Sequence, residues 1–199
     1  MKKTFNKKFN REVYEIFAGD YYATNERKIA LTTLLGSCIS VCLKDTISGI
    51  VAMNHFMLPA AIKRDEFIIS EDARYGMYAM EKMINDMMKL GARKSGLQAK
   101  VFGGGEVLGT NINNVSKSNI EFAMRYLKME EIPIISYDVS GKFGRKLFFV
   151  PETFDVFVKK IGQATKLAEA VRAEENYLEK IKRRKAEKAQ SDANLTLFD

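Results

Sequence analysis

The stretch from Leu34 to Leu58 constrains this chain more than any other. Leu34-Leu35-Gly36-Ser37-Cys38-Ile39-Ser40-Val41-Cys42-Leu43-Lys44-Asp45 and Ile50-Val51-Ala52-Met53-Asn54-His55-Phe56-Met57-Leu58 are two runs rich in Ile, Val and Leu. Thr46-Ile47-Ser48-Gly49 lies between them and ends in glycine, so the pair reads as a β-hairpin. If Thr46 and Ile47 form the loop, Asp45 pairs with Ser48, and counting outward sets Cys38 opposite His55. Directly opposed residues share a face, with Cβ atoms about 4.5–5.5 Å apart. A thiol and an imidazole 17 positions apart in sequence would then meet. A slip of one residue would turn the two side chains to opposite faces.

Such a pair has a chemical use. A free thiol near neutral pH is mostly protonated and a poor nucleophile. A neighbouring imidazole takes the proton, and the imidazolium then stabilises the thiolate. Gly36 and Ser37 precede the cysteine in a tight polar turn that can leave backbone N–H groups free to hold an oxyanion. The same residues have a plain reading, in which the cysteine is a small buried hydrophobe and the histidine a satisfied core residue.

The chain has 199 residues, enough for one substantial domain and an appendage. Hydrophobic residues make up 46%, which supports a packed core. No apolar run is long enough to span a bilayer, and Met1-Lys2-Lys3-Thr4-Phe5-Asn6-Lys7-Lys8 leads into no apolar stretch of the secretory kind. With two cysteines and no such signal, the expectation is a cytoplasmic protein with free thiols. Cys38 and Cys42 on one strand are too far apart to pair. With one histidine in the chain, a His-rich metal site is excluded and any imidazole chemistry must use His55. The net charge of +7 is concentrated at the two ends, so it belongs to the appendages.

Along the chain, Phe5, Phe9, Val13 and Phe17 recur every four residues, which fits an amphipathic helix or an arm lying on the domain over residues 1–20. Lys28 to Thr33 is a β-type run. Pro59 closes the hairpin, and Ala60 to Phe67 reads as a polar loop. Ser70 is a good N-cap for a helix that runs to about Leu90 and stops at Gly91. Its Met-rich face reads as core. Leu97 to Phe102 is a strand, followed by Gly103-Gly104-Gly105. This triplet lacks the pattern of a nucleotide loop and reads as a place where backbones pass closely. A second helix capped by Ser116 or Ser118 runs to about Lys128, and strands follow at Ile134–Val139, Lys146–Val150 and Phe154–Val158. The sum is an α/β layered domain. Beyond Ile161 the chain becomes a charged helical pattern with the basic run Lys180-Ile181-Lys182-Arg183-Arg184-Lys185, and it ends in the apolar tag Leu195-Thr196-Leu197-Phe198. No aromatic interleaving supports nucleic-acid binding.

Several blocks together resemble one family. Leu35-Gly36-Ser37-Cys38 with Cys42, Met53-Asn54-His55-Phe56-Met57-Leu58-Pro59, Ala99-Lys100-Val101-Phe102-Gly103-Gly104, Asn119 opening a helix, Asp138-Val139, Gly141 and Gly144-Arg145-Lys146 resemble the chemoreceptor glutamine deamidases, CheD. The likeness runs from about Ala30 to Ile161. Ser116, Ser118 and Ser140 depart from it, the last standing where glycine is usual. The resemblance implies a three-layer α/β/α sandwich over residues 1–161, with 162–199 as a basic helical extension. It implies a thiol hydrolase that converts receptor glutamines to glutamate without cofactor or metal. Cys38 would be nucleophile, His55 base and acid, Thr32 the group that orients His55, and Gly36 and Ser37 the oxyanion support. The implied partners are the cytoplasmic helical hairpins of chemoreceptors and a CheC-type phosphatase. A non-catalytic receptor-binding regulator, or an adaptor for that phosphatase, is the rival reading.

Overall fold

The computed structural model describes residues 1–58, 70–107 and 110–162, the side chains of 110–114 apart, and then 168, 172, 174–184, 186 and 187. Among the described residues, ten strands form two five-stranded sheets. The first contains β1 (Lys2–Asn6), β2 (Arg11–Glu15), β4 (Ile29–Leu35), β9 (Gly144–Val150) and β10 (Asp155–Ile161), in the order β1-β2-β4-β9-β10. The second contains β3 (Tyr21–Thr24), β6 (Val51–Asn54), β5 (Ile39–Asp45), β7 (Leu97–Gly103) and β8 (Ile134–Val139), in the order β3-β6-β5-β7-β8. Two helices, α1 (Glu71–Lys89) and α2 (Thr110–Met129), pack on the second sheet, and residues 174–184 form a third.

Alternation along β5 and β6 explains the layering, because successive strand residues face opposite sides. Ile39, Val41, Leu43 and Ala52 point toward α1 and α2 and join Met80, Met83, Met87, Phe122 and Leu127 in one core. Cys38, Cys42, Val51 and Met53 point the other way. They meet Leu31, Leu35, Leu147 and Phe149 of the first sheet in a second core. Cys42 is fully buried there, and burial pushes its thiol up to about 12. Helix α1 begins where its sequence says it should: the Ser70 hydroxyl accepts from the Ala73 N–H at 3.1 Å, and Gly91 past its end has φ +105°.

Three expectations need correction. The three layers run sheet, sheet, helices, and not helix, sheet, helix, because α1 and α2 lie on one face of the second sheet and the first sheet covers the other. The N-terminal residues are not the amphipathic helix that their spacing also fits. They form the β1–β2 hairpin, and β2 pairs in parallel with β4. A four-residue spacing is an even number, so it satisfies the period of two in a strand as well as the helical period. Helix α2 begins at Thr110, so neither Ser116 nor Ser118 caps it, and Asn119 lies inside it. Pro59, the 60–67 loop and the terminal tag lie outside the described residues.

The β5–β6 hairpin also has a different turn. Register pairs Leu43 with Ala52 and Lys44 with Val51, and Asp45 N–H donates to the Ile50 carbonyl at 2.8 Å, so the loop has four residues and not two. The Asp45 carboxylate organises that loop, accepting from Ile47 N–H, Ser48 N–H, the Ser48 hydroxyl and Arg93 N–H. Burial works against its ionised form, yet these bonds outweigh burial and hold the carboxyl below its ordinary value.

Ser140 sits at φ +66°, in the left-handed region that disfavours a side chain. Ser140→Gly is expected to relieve that strain and raise the melting temperature by about 2 °C, followed by circular dichroism. An unchanged or lower midpoint would show that the serine is not strained.

Candidate active site

The two-residue difference in register keeps Cys38 and His55 on one face, since the side-chain period is two. Met57 now falls opposite Cys38 by extension of the Ile39–Phe56 bridge, and His55 lies diagonal to the thiol. The approach survives. The Cys38 sulfur, a ring nitrogen of His55 and a carboxylate oxygen of Glu174 all lie within 4.8 Å of one another. All three residues are buried.

His55 is held on both its backbone groups: its N–H donates to the Asp20 carbonyl at 3.0 Å, and its carbonyl accepts from Gly19 N–H at 2.7 Å. Its ring is fixed by a relay. The Thr33 hydroxyl donates to the Ile16 carbonyl at 2.6 Å and so accepts at 2.8 Å from Nδ1–H of the imidazole. A hydroxyl has one proton to give, so this assigns the hydrogen to Nδ1 and the lone pair to Nε2. Among the described residues Nε2 has no hydrogen-bond partner, although it is buried. A basic nitrogen is thus kept unoccupied in the cluster that contains the thiol.

The turn before β5 supplies the second half of the site. N–H groups of Gly36, Ser37 and Cys38 all donate to the Glu174 carboxylate, at 2.7, 2.9 and 3.1 Å. The Ser37 hydroxyl adds a fourth bond at 2.7 Å. Each amide is aimed by the carbonyl in its own planar peptide, which must point away from it. The Ser37 carbonyl accepts from Asn119 Nδ2 at 3.0 Å, which turns the Cys38 N–H inward. The Gly36 carbonyl accepts from Gly105 N–H at 2.8 Å and does the same for the Ser37 N–H. Asn119 completes the clamp by accepting from Leu58 N–H at 2.8 Å. Gly103, at φ +117°, passes so near the Cys38 carbonyl that a Cβ there would collide with it. Fully buried Arg145 braces this loop through the Asp138 carboxylate and the carbonyls of Gly103 and Ser140.

Electrostatics follow from burial. Desolvation, and then the Glu174 carboxylate, push the Cys38 thiol well above its usual value. Desolvation lowers His55 below 6.5, with Glu174 acting against that shift. Cys38, His55 and Glu174 are donors of the kind that hold zinc. Each Glu174 oxygen already accepts two hydrogen bonds, however, so the carboxylate is committed to the amides.

Of the residues singled out in the sequence, Cys38, His55, Gly36 and Ser37 come together. Thr32 does not. Its hydroxyl donates to the Leu147 carbonyl at 2.6 Å, and the next residue, Thr33, holds the imidazole. Strand parity decides this: Leu31, Thr33 and Leu35 face the intersheet layer, while Thr32 faces away. Sequence reasoning also missed the roles of Asn119 and Glu174. For Glu174 a signal existed. Val171, Glu174, Leu178 and Ile181 keep one helical stripe, in which a carboxylate is out of place unless paired.

A thiol and a fixed imidazole beside three converging backbone amides define a thiol–imidazole centre with a cradle of N–H donors, carried between stacked sheets. A family model described as CheD chemotactic sensory transduction matches residues 57–160. A "Probable chemoreceptor glutamine deamidase CheD" of Methylobacillus flagellatus is 44% identical over 183 residues, 91% of this chain and 89% of that one. A "Probable chemoreceptor glutamine deamidase CheD 1" of Shewanella oneidensis is 46% identical over 158 residues, 79% and 76% of the two chains. Among solved structures, the Bacillus licheniformis hypothetical protein YfiH superposes with a TM-score of 0.41 at 11% identity, over 60% of this chain and 50% of that one. This chain belongs to the CheD family.

With one histidine, nitrogen NMR reads the relay directly. The expected result at neutral pH is an uncharged ring protonated on Nδ1, and Thr33→Val should abolish that preference while Thr32→Val leaves it intact. Because the folded-state value lies below 6.5, the unfolded chain binds the extra proton first. The His55 contribution to stability is therefore present above 6.5 and lost as pH falls below it. Urea titrations across that window check the sign.

Proposed function

We propose that this chain is a protein-glutamine deamidase that converts glutamine side chains of chemoreceptors to glutamate, the activity its curated relatives are named for. One observation carries the reading: a cysteine and an unoccupied imidazole nitrogen share a buried cluster with three consecutive amides that converge on a carboxylate. Such a cradle suits the oxyanion formed when a nucleophile adds to a carboxamide.

On this reading Nε2 of His55 takes the Cys38 proton, and Sγ bonds to the side-chain carbonyl carbon of the glutamine. The oxygen gathers charge against the N–H groups of Gly36, Ser37 and Cys38. The imidazolium then protonates the nitrogen, the C–N bond breaks and ammonia leaves a thioester. Water, losing a proton to Nε2, adds to that carbon, the C–S bond breaks, and glutamate and the thiol are released. Thr33, in the place expected for Thr32, keeps Nε2 as the basic nitrogen throughout. No step needs a metal or organic cofactor. We further read residues 1–161 as the catalytic unit and 162–199 as a basic helical extension. The cytoplasm is the compartment, receptor helical hairpins are the substrate, and a CheC-type phosphatase is a second partner.

Incubation with a receptor cytoplasmic fragment is expected to add about one dalton per converted glutamine, and Cys38→Ala to abolish the gain. Thr33→Val should slow it by on the order of 100-fold and Thr32→Val should leave it near wild type. A mass gain that persists in Cys38→Ala would sink the assignment of the nucleophile.

A further inference from the structure

We propose that the helix of residues 174–184 is an autoinhibitory strap whose Glu174 carboxylate occupies the substrate position of this chain's own site. The occlusion stands on geometry. That the occlusion inhibits, and that Glu174 resembles a product, rests on the deamidase reading.

All three amides of the cradle, and the Ser37 hydroxyl, are spent on Glu174. An arriving carboxamide oxygen needs those same donors, so the two cannot be bound together. The occupant is not of arbitrary chemistry. Deamidation of a glutamine yields a glutamate side chain, and a glutamate on a helix is what fills the cradle. Its charge also opposes thiolate formation at Cys38, as it would beside any nucleophile awaiting activation.

The rest of the helix is built to keep Glu174 there. Tyr177, Leu178 and Ile181 follow it at intervals of three, four and seven residues, so all four side chains share one face. Tyr177 and Leu178 pack against the intersheet core, and Ile181 is buried. The Tyr177 hydroxyl bonds to that of Tyr75 on α1, and its ring lies so close to Gly19 that a Cβ there would collide. Gly36 is needed for the same reason, since a Cβ would come within 2.9 Å of the Glu174 Oε2. The opposite face of the helix, with Glu175, Glu179, Lys180, Lys182 and Arg183, is exposed. Under this strap Cys38 has no exposed surface and His55 only 4%. Beside it, a cavity of about 530 Å³ reaches His55 between Tyr75 and Tyr78 of α1 and Tyr177 and Ile181 of the strap. Displacing the strap joins this space to the cradle.

The test uses the full chain and iodoacetamide under native conditions, with labelling read by peptide mass. Cys42, deep in the intersheet core, reports in the same run that the fold is intact. Glu174→Ala and Ile181→Asp are each expected to speed alkylation of Cys38 by about tenfold or more. Wild-type protection should be unchanged over a hundredfold dilution. Equal Cys38 rates in wild type and both variants overturn the strap, and protection that fades on dilution overturns its intramolecular form. The receptor-fragment assay is run on the same three proteins. Faster deamidation by the variants supports inhibition, and equal rates overturn it. Variants that open Cys38 yet convert no glutamine leave the strap standing and remove the deamidase reading instead.

Discussion

Three consecutive amides pointing at one place are the constraint on which this structure depends. A chain does not adopt that arrangement unaided, because adjacent peptides in an extended strand point alternately to opposite sides. Here the turn from Gly36 to Cys38 breaks the strand pattern, and two carbonyls are tied back so that the amides face forward. Asn119 of α2 holds one carbonyl, and Gly105 of the loop after β7 holds the other. The glycine loop is in turn fixed by Arg145, whose charge is buried only because Asp138 and two carbonyls receive it. Elements from both sheets and one helix are thus committed to orienting a few N–H vectors.

The intersheet layer does the complementary task for the side chains. It is buried, and burial disfavours the charged imidazole, so the neutral ring that enters it must have its Nδ1–H satisfied. Thr33 does this from the opposite sheet, and passes the demand to the Ile16 carbonyl. The second sheet therefore brings Cys38 and His55 together, while the first decides which imidazole nitrogen carries the lone pair. Neither sheet alone would both place His55 beside Cys38 and fix the hydrogen on Nδ1.

Much of this was legible in the chain. The paired apolar runs gave the hairpin, Ser70 and Gly91 bracketed the first helix, and the glycine triplet marked a close passage of backbones. These features are local: propensity, alternation and capping act within a few residues. Cys38 and His55 could be placed on one face even with the wrong loop length, because an error of two residues preserves parity. Thr32 could not be told from Thr33 in that way. The choice depends on which face of β4 meets the other sheet, and a run as uniformly buried as Ile29–Leu35 carries no alternation to reveal it.

By itself, the sequence determined which residues could do chemistry, since one histidine and two cysteines leave few combinations, and it determined most strands and helices. The tertiary structure decided the order of the layers, the threonine that partners the histidine, and the occupant of the cradle. Each of these is a contact between segments far apart along the chain, from Thr33 to His55 and from Gly36 to Glu174. Which distant groups meet is set by the packing of whole faces, and no periodicity within either segment encodes its partner.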